Sequence, residues 1–188
     1  MQHPEPNMPL LLRSIAFAAR KHRNQRRKSA DASPYINHPI AVANVLVNEG
    51  GIEDYVVLCA AVLHDTVEDT ETTADELETH FGPAITGVVL EVTDDKSLDK
   101  EVRKRLQVEH APNLSREAKL VKLADKICNV QDILTSPPED WSAERKQLYL
   151  DWAAAVVDGM RGVHPGLEAL FDSLNGGVKI FPVKSSDW

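Results

Sequence analysis

Residues 56–69 read VVLCAAVLHDTVED, and the character of the chain changes at His64. The residues before it are all apolar, which is typical of a helix buried on every side. If the helix continues at about 100° per residue, His64 and Glu68 share one edge, and so do Asp65 and Asp69. One imidazole and three carboxylates are costly to bury unless something compensates them. A divalent cation would do so, and the segment therefore predicts a buried helix that ends at a metal site.

The bulk composition indicates one globular domain. The chain has 188 residues, of which 43% are hydrophobic and 27% are charged. We expect a loose tail at residues 1–9, one domain over residues 10–175 and a second tail at residues 176–188. No run of about 18 apolar residues predicts a membrane span. The N-terminus lacks the basic-then-apolar pattern of a secretory signal, so we expect a cytoplasmic protein without disulfides.

Apolar residues recur at helical spacing along most of the chain, and caps and breakers separate the repeats. This pattern predicts an all-α protein of about eight to ten helices in a compact array that is not a simple bundle. The helices are expected near residues 10–23, 39–49, 54–66, 73–82, 83–92, 99–109, 115–134, 143–160 and 165–174. Only residues 178–183 alternate with a period of two, which indicates a small C-terminal β-hairpin or an extended tail.

Candidate metal ligands come from three separate parts of the chain: His38, the pair His64 and Asp65, and Asp125. Asp125 falls in the apolar stripe of a long predicted helix, where an unpaired charge is costly; it could instead be the buried partner of a lysine. Nitrogen and oxygen ligands without thiolate favour Mn²⁺, Fe²⁺ or Zn²⁺ over a structural cysteine-type zinc site. Two imidazoles and two carboxylates leave positions open for water and a phosphate oxygen, an arrangement used in metal-activated hydrolysis.

Positive charge is concentrated in one short span although the formal net charge is −8. Such an acidic chain is a poor candidate for binding nucleic acid polymers. The basic span contains Arg20, Lys21, Arg23, Arg26, Arg27 and Lys28. A local basic cluster on an acidic body suits a small, highly charged anion, and an ordinary solvated surface is the alternative. Its position just before His38 favours the anion.

Five segments together resemble the HD superfamily of metal-dependent phosphohydrolases, and more specifically the (p)ppGpp hydrolase domain of the RelA/SpoT family. The segments are residues 18–23, 26–28, 34–39, 63–69 and 122–129. The resemblance spans roughly residues 10–160 and is greatest to the stand-alone small alarmone hydrolases, which include the animal SpoT homologue. No length remains for the synthetase domain of the large family members, so we expect a protein that degrades alarmone and does not make it.

The resemblance implies a role for each matching residue. His38, His64, Asp65 and Asp125 would bind one Mn²⁺, and Glu68 and Asp69 would be the catalytic acidic pair that orients and deprotonates water. Residues at the nucleotide would be Arg27 and Lys28 in the basic loop, Asn129 at the base edge, and Lys100, Arg105, Arg145 and Tyr149 as flanking contacts. Asn129 follows Asp125 by one helical turn, so both should project toward the same cavity.

The activity implied is Mn²⁺-dependent hydrolysis of the 3′-pyrophosphate of ppGpp or pppGpp, which gives GDP or GTP and pyrophosphate. Removal of the 2′-phosphate of NADPH and hydrolysis of (p)ppApp are alternatives on the same site, because an amide such as that of Asn129 can turn over and read either purine. A catalytically inactive alarmone-binding regulator and a structural helical domain are alternatives from other classes. Exposed apolar surface on the last helices could support a homodimer.

Overall fold

A computed structural model describes residues 7–28 and 32–176, and this part of the chain is helical, with no strand. The helices are α1 (Met8–Lys21), α2 (Asn37–Asn44), α3 (Tyr55–Leu63), α4 (Thr66–Asp69), α5 (Ala74–Val92), α6 (Lys100–His110), α7 (Arg116–Thr135), α8 (Ala143–Asp158) and α9 (Pro165–Asn175). A π-helical turn, Val45–Glu49, extends α2, and a 3-10 turn, Ala111–Asn113, follows α6. The all-α prediction is confirmed. Residues 1–6 and 177–188, and with them the predicted hairpin or extended tail at 178–183, lie outside the described residues.

Helix α3 lies at the centre of the molecule because its sequence offers no polar face to solvent. Every residue from Val57 to Leu63 is buried. Helices α1, α2, α5 and α7 pack around it. Its start is fixed by Asp54, whose carboxylate accepts a hydrogen bond from the backbone N–H of Val56 over 2.8 Å. Each large apolar side chain buried here contributes about 1.5–3 kcal/mol, so this helix anchors the array.

The prediction that α3 continues through residue 66 is wrong. The helix ends at Leu63, and the single turn α4 begins at Thr66. The hydroxyl of Thr66 donates to the carbonyl oxygen of Leu63 over 2.7 Å, and this oxygen would pair with the N–H four residues on if the helix continued. The backbone of Asp65 has ψ −1°. His64 and Asp65 therefore lie at a bend between two helices rather than on one edge of a continuous helix.

Helix α7 is the second long buried element. Ser115 caps it, its hydroxyl accepting from the N–H of Ala118 over 3.1 Å. The residues predicted to face inward, Leu120, Leu123, Ala124, Ile127 and Val130, are all buried. Helices α8 and α9 pack against α7. The polar residues of α7 therefore lie in surroundings that are apolar on most sides.

The two helices predicted over residues 73–92 form one element with a kink. The backbone of Gly82 has φ 81°, a conformation that other residues rarely adopt, and Pro83 restarts the helix after it. Thr73 caps the start by accepting from the N–H of Glu76 over 3.2 Å. The cap and the break both follow the sequence signals.

Helix α1 begins at Met8, two residues before the predicted start, because the side chain of Asn7 accepts a hydrogen bond from the N–H of Leu10. In residues 7–28 and 32–176, none of the helices combines the length and the apolar character that crossing a membrane requires.

Candidate active site

The four predicted metal ligands converge from three elements. His38 lies in the first turn of α2, His64 and Asp65 at the bend after α3, and Asp125 in the middle of α7. Nε2 of His38 is 3.1 Å from Oδ1 of Asp125 and 4.0 Å from Oδ2 of Asp65. Nε2 of His64 is 3.0 Å from that Asp65 oxygen and 3.8 Å from Oδ1 of Asp125. Ligand atoms of His38, His64 and Asp65 all lie within 4.8 Å of one another, and Asp125 joins them through its contacts with the two histidines.

The protonation chemistry of the two histidines fits a divalent cation. Nδ1 of His64 donates to the carbonyl oxygen of Ala61 over 2.8 Å, which turns Nε2 toward the carboxylates. That buried Nε2 makes no hydrogen bond of proper geometry within the described residues, although Oδ2 of Asp65 lies 3.0 Å away. Burial acts to lower the pKa of His64, but Asp65 and Asp125 outweigh it and raise this pKa to about 9. The carboxylates that attract a proton to His64 would attract a cation in its place.

Burial lowers the pKa of His38, which keeps this imidazole neutral, as metal binding requires. Asp125 is itself held on several sides. Its Oδ2 accepts from Lys126 Nζ over 3.1 Å and its Oδ1 accepts from Asn129 Nδ2 over 2.6 Å. Burial acts to raise the pKa of Asp125, but Lys126 and His38 outweigh it and hold this pKa well below its ordinary value. Asp125 therefore pairs with a lysine, Lys126, and also contacts His38, so both of the roles predicted for it from the sequence are compatible with the structure.

Glu68 and Asp69 line the same cavity as the four residues above, which has a volume of about 160 Å³. Oε2 of Glu68 accepts from the backbone N–H of Asp94 over 3.1 Å, and Oε1 lies 3.6 Å from Nη1 of Arg103. Burial raises the pKa of Glu68. Asp69 accepts from Nε2 of Gln25 over 3.0 Å and also pairs with Lys96. Both carboxylates are therefore oriented by partners from other parts of the chain.

A wider cleft of about 1040 Å³ adjoins this cavity and is rich in cations and aromatic rings. Of the predicted nucleotide contacts, its lining includes Arg27, Lys28, Lys100, Asn129, Arg145 and Tyr149. The rings of Trp141, Tyr149 and Trp152 lie in sequence along one wall, with centroids 5.6 Å and 5.3 Å apart. The guanidinium of Arg145 lies over the Trp141 ring at 4.5 Å. Cations beside aromatic faces suit a ligand that combines phosphates with a base.

Arg27 and Asn129 meet where the cavity opens into the cleft. Nη2 of Arg27 donates to Oδ1 of Asn129 over 3.1 Å and to Oδ2 of Asp132 over 2.6 Å. The guanidinium also lies 5.6 Å from the centroid of the Tyr35 ring. Asn129 and Asp125 project to the same side, as their spacing of one helical turn predicts.

Arg105 is the predicted contact that the structure does not bring to the site. Its side chain is 65% exposed and pairs with Glu109 over 3.4 Å. Two helical positions correspond to about 200°, so Arg103 and Arg105 point to opposite sides of α6. Arg103 and Lys104 line the cleft, and Arg105 does not.

Several residues at the site were not among the predicted ones. They are Gln25, Tyr35, Lys96, Arg103, Gln107, Trp141 and Trp152. Tyr35 donates its hydroxyl to Oδ2 of Asp65 over 2.5 Å. Its position three residues before His38 was the available signal. Lys96 and Gln107 belong to segments with no motif to mark them.

Comparison with known proteins agrees with this geometry. The sequence profile of the HD domain family matches residues 14–154. The chain is 60% identical over 158 residues to guanosine-3′,5′-bis(diphosphate) 3′-pyrophosphohydrolase MESH1 of Homo sapiens, a match that covers 84% of this chain and 88% of that protein. The Xenopus tropicalis protein of the same name is 55% identical over 165 residues, covering 88% of this chain and 92% of that one.

A solved structure with the same fold has a TM-score of 0.88 and 45% sequence identity, and the match covers 94% of this chain and 98% of the other. It is described as a metazoan ortholog of SpoT that hydrolyzes ppGpp and plays a role in starvation responses. The chain therefore belongs to the HD-domain family, among its small MESH1-type members.

Proposed function

We propose that this protein hydrolyses the 3′-pyrophosphate of ppGpp and pppGpp, releasing pyrophosphate and leaving GDP or GTP. One observation carries the proposal: four candidate metal ligands and an acidic pair share a buried cavity that opens into a cationic cleft. Relatives that are 55–60% identical over most of this chain carry the name of this activity.

His38, His64, Asp65 and Asp125 are the residues that would hold the metal, and we propose Mn²⁺ as the ion. Imidazole nitrogens and carboxylate oxygens without thiolate suit this cation. When bound, the cation supplies acidity to a coordinated water and withdraws charge from phosphorus. Tyr35 keeps one Asp65 oxygen oriented through its hydroxyl, and Lys126 does the same for Asp125.

Glu68 and Asp69 position the attacking water and accept its proton. The water oxygen bonds to the phosphorus attached to the ribose 3′-oxygen, the bond between that phosphorus and the 3′-oxygen breaks, and the 3′-oxygen takes up a proton. The raised pKa of Glu68 makes this carboxylate a stronger base than an exposed glutamate. One water is consumed for each pyrophosphate and nucleotide formed.

The cationic residues of the cleft neutralise the substrate, which carries a 3′-pyrophosphate and a 5′-diphosphate or 5′-triphosphate. They are Arg26, Arg27, Lys28, Lys96, Lys100, Arg103, Lys104 and Arg145. Asn129 reads the base edge, and Tyr149 and its aromatic neighbours offer faces on which a base or ribose can pack. Arg27 must then exchange part of its contact with Asn129 and Asp132 for contacts to the nucleotide.

The experiment is a substrate panel with Mn²⁺ supplied. The purified protein is given ppGpp, pppGpp, ppApp and NADPH, and released pyrophosphate and phosphate are measured separately. We expect ppGpp and pppGpp to give pyrophosphate in equal amount to GDP or GTP, and Asp65→Ala to give none. A higher kcat/KM for phosphate release from NADPH, or for pyrophosphate release from ppApp, than for ppGpp would mean that this compound is the substrate in place of the guanosine alarmone. Binding of ppGpp without turnover would indicate a regulator instead.

A further inference from the structure

His22 is a buried histidine that the mechanism above does not use. It directly follows α1, and the residue is only 2% exposed to solvent. Its ring stacks on the ring of Tyr35, with centroids 4.8 Å apart and an interplanar angle of 31°. Its Nδ1 lies 2.7 Å from Oε1 of Gln25. A histidine buried so close to the site needs an explanation in terms of what it holds.

The hydrogen bonds fix the direction of a short chain from His22 to Asp69. An ionised carboxylate only accepts hydrogen bonds, so the group of Gln25 that faces Asp69 must be its amide nitrogen, at 3.0 Å from Oδ2. The amide oxygen of Gln25 then faces His22 and accepts, and Nδ1 of His22 must carry the hydrogen. Neither the amide nor the ring can turn over without breaking the chain.

The backbone around Gln25 is fixed as well. Its N–H donates to the carbonyl oxygen of His22 over 2.9 Å, and its own carbonyl oxygen accepts from the N–H of Tyr35 over 3.1 Å. The hydroxyl of Tyr35 in turn reaches Asp65. His22 thus supports both sides of the site, Asp65 through a stacked ring and Asp69 through an amide.

Asp69 has a competing partner. Its Oδ1 pairs with Lys96, whose side chain is 48% exposed. Without Gln25, Lys96 would be the one hydrogen-bonding side chain left to Asp69 among the described residues, and the carboxylate would follow this flexible cation toward solvent. Glu68 shares Lys96, which lies 3.7 Å from its Oε1, but it also accepts from the N–H of Asp94 and lies 3.6 Å from the guanidinium of Arg103. None of these contacts involves Gln25. Loss of Gln25 should therefore act first on Asp69, while Asp94 and Arg103 continue to hold Glu68.

We propose that His22 and Gln25 are positioning residues that hold the Asp69 carboxylate in its catalytic orientation. The proposal rests on the role assigned to Asp69 in the proposed function. His22 lines neither the cavity nor the cleft, and Gln25 borders the cleft with both polar groups of its side chain engaged by His22 and Asp69. Both residues should therefore act mainly on the rate of the chemical step.

The first test is Gln25→Met, which keeps the length of the side chain and removes both of its polar groups. We expect kcat for ppGpp to fall ~10- to 100-fold. The KM for ppGpp and the affinity for Mn²⁺ measured by titration calorimetry should stay close to the parent values. The Tm should fall by a few degrees, because the buried Nδ1–H of His22 loses its acceptor. Asn24→Ala, at the exposed neighbouring position, is the matched control and should retain the parent kcat. A parent-level kcat in Gln25→Met would overturn the proposal.

A double-mutant cycle with Asp69→Ala shows whether Gln25 acts through Asp69. The expected result is that Gln25→Met/Asp69→Ala is no slower than Asp69→Ala. Losses that multiply would mean that Gln25 acts elsewhere and would overturn the proposal. If the parent hydrolyses ppGpp but Asp69→Ala is as fast, the acidic-pair role is wrong and the proposal falls with it. If the parent does not hydrolyse ppGpp, the proposed function itself fails, which is seen before any variant is made.

His22→Phe provides a second route that does not depend on Gln25→Met folding. Phenylalanine keeps a ring against Tyr35 but cannot donate a hydrogen bond. We expect a lower kcat, with KM and Mn²⁺ affinity unchanged, and no further loss in His22→Phe/Gln25→Met relative to Gln25→Met. A parent-level kcat in His22→Phe would remove the histidine from the chain of positioning contacts.

Discussion

At the scale of single residues, the carboxylate of Glu68 experiences opposing influences on its pKa. Burial is the largest and raises the pKa, whereas the hydrogen bond from the N–H of Asp94 lowers it; the net shift is upward. A raised pKa in the folded chain means that the fold favours the protonated form. The stabilisation is fully present below the unfolded-state pKa and is lost as the pH rises through the folded-state value. At neutral pH the ionised form of Glu68 therefore lowers the free energy of unfolding. The same raised pKa makes the carboxylate a stronger base.

We predict that Glu68→Gln lowers kcat for ppGpp by about 10²–10⁴-fold, because the amide cannot accept the proton of water. The same change should raise the Tm of the metal-free protein at pH 7, because it removes a buried charge and keeps an acceptor for Asp94. That gain should shrink as the pH approaches about 4.3, where an unfolded glutamate takes up its proton. Steady-state kinetics and thermal denaturation at both pH values check the prediction. Parent-level turnover would contradict the role of Glu68, and a lower Tm at pH 7 would contradict the sign of its pKa shift.

Single residues differ in how far the sequence reveals them. Asn129 could be placed in advance because a helical turn relates it to Asp125, and the two side chains do meet. Gln25 could not, because it lies in a polar loop, where no periodicity tells which side chain turns inward. Its role depends on a carboxylate 44 positions later in the chain.

At the scale of helices, the sequence predicts the position of an element when burial determines which of its faces points into the core. Helix α3 has no polar face, so its place in the core follows from its sequence alone. Helix α6 has no buried residue to fix its rotation, and its charged residues face every direction. The resemblance placed Arg105 at the cleft, and the sequence of α6 offers no burial pattern that would have pointed to Arg103, the residue that lines it. The bend after Leu63 was missed because it depends on a hydroxyl of Thr66 replacing a backbone donor.

The rotation of α6 gives a matched pair of variants on one helix. We predict that Arg103→Ala lowers kcat/KM for ppGpp by about 10-fold or more, because a charged hydrogen-bond donor beside Glu68 and the phosphates is lost. Arg105→Ala should stay within about twofold, as is usual for an exposed ion pair. Kinetics of the two variants at equal ionic strength make the comparison. A larger effect at position 105 than at 103 would contradict the assignment of the two faces.

At the scale of the whole molecule, the fold brings together groups that are far apart in sequence. His38 and Asp125 are separated by 87 positions, yet their side chains are in contact because α2 and α7 both pack on α3. The sequence motifs predict the ligand types, and the fold supplies their convergence. The homodimer stays a prediction. Leu148, the most exposed large apolar residue of α8, lies on the cleft wall, so it need not mark a subunit contact.

The central claim is that one divalent cation is held between these helices beside the acidic pair. Diffraction from crystals grown with Mn²⁺, recorded at the manganese absorption edge, tests it most directly. We predict one strong anomalous peak with Nε2 of His38, Nε2 of His64 and carboxylate oxygens of Asp65 and Asp125 at about 2.0–2.6 Å, the range of bonds from divalent cations to nitrogen and oxygen ligands. A peak away from these four residues, or none at saturating Mn²⁺, would contradict the account.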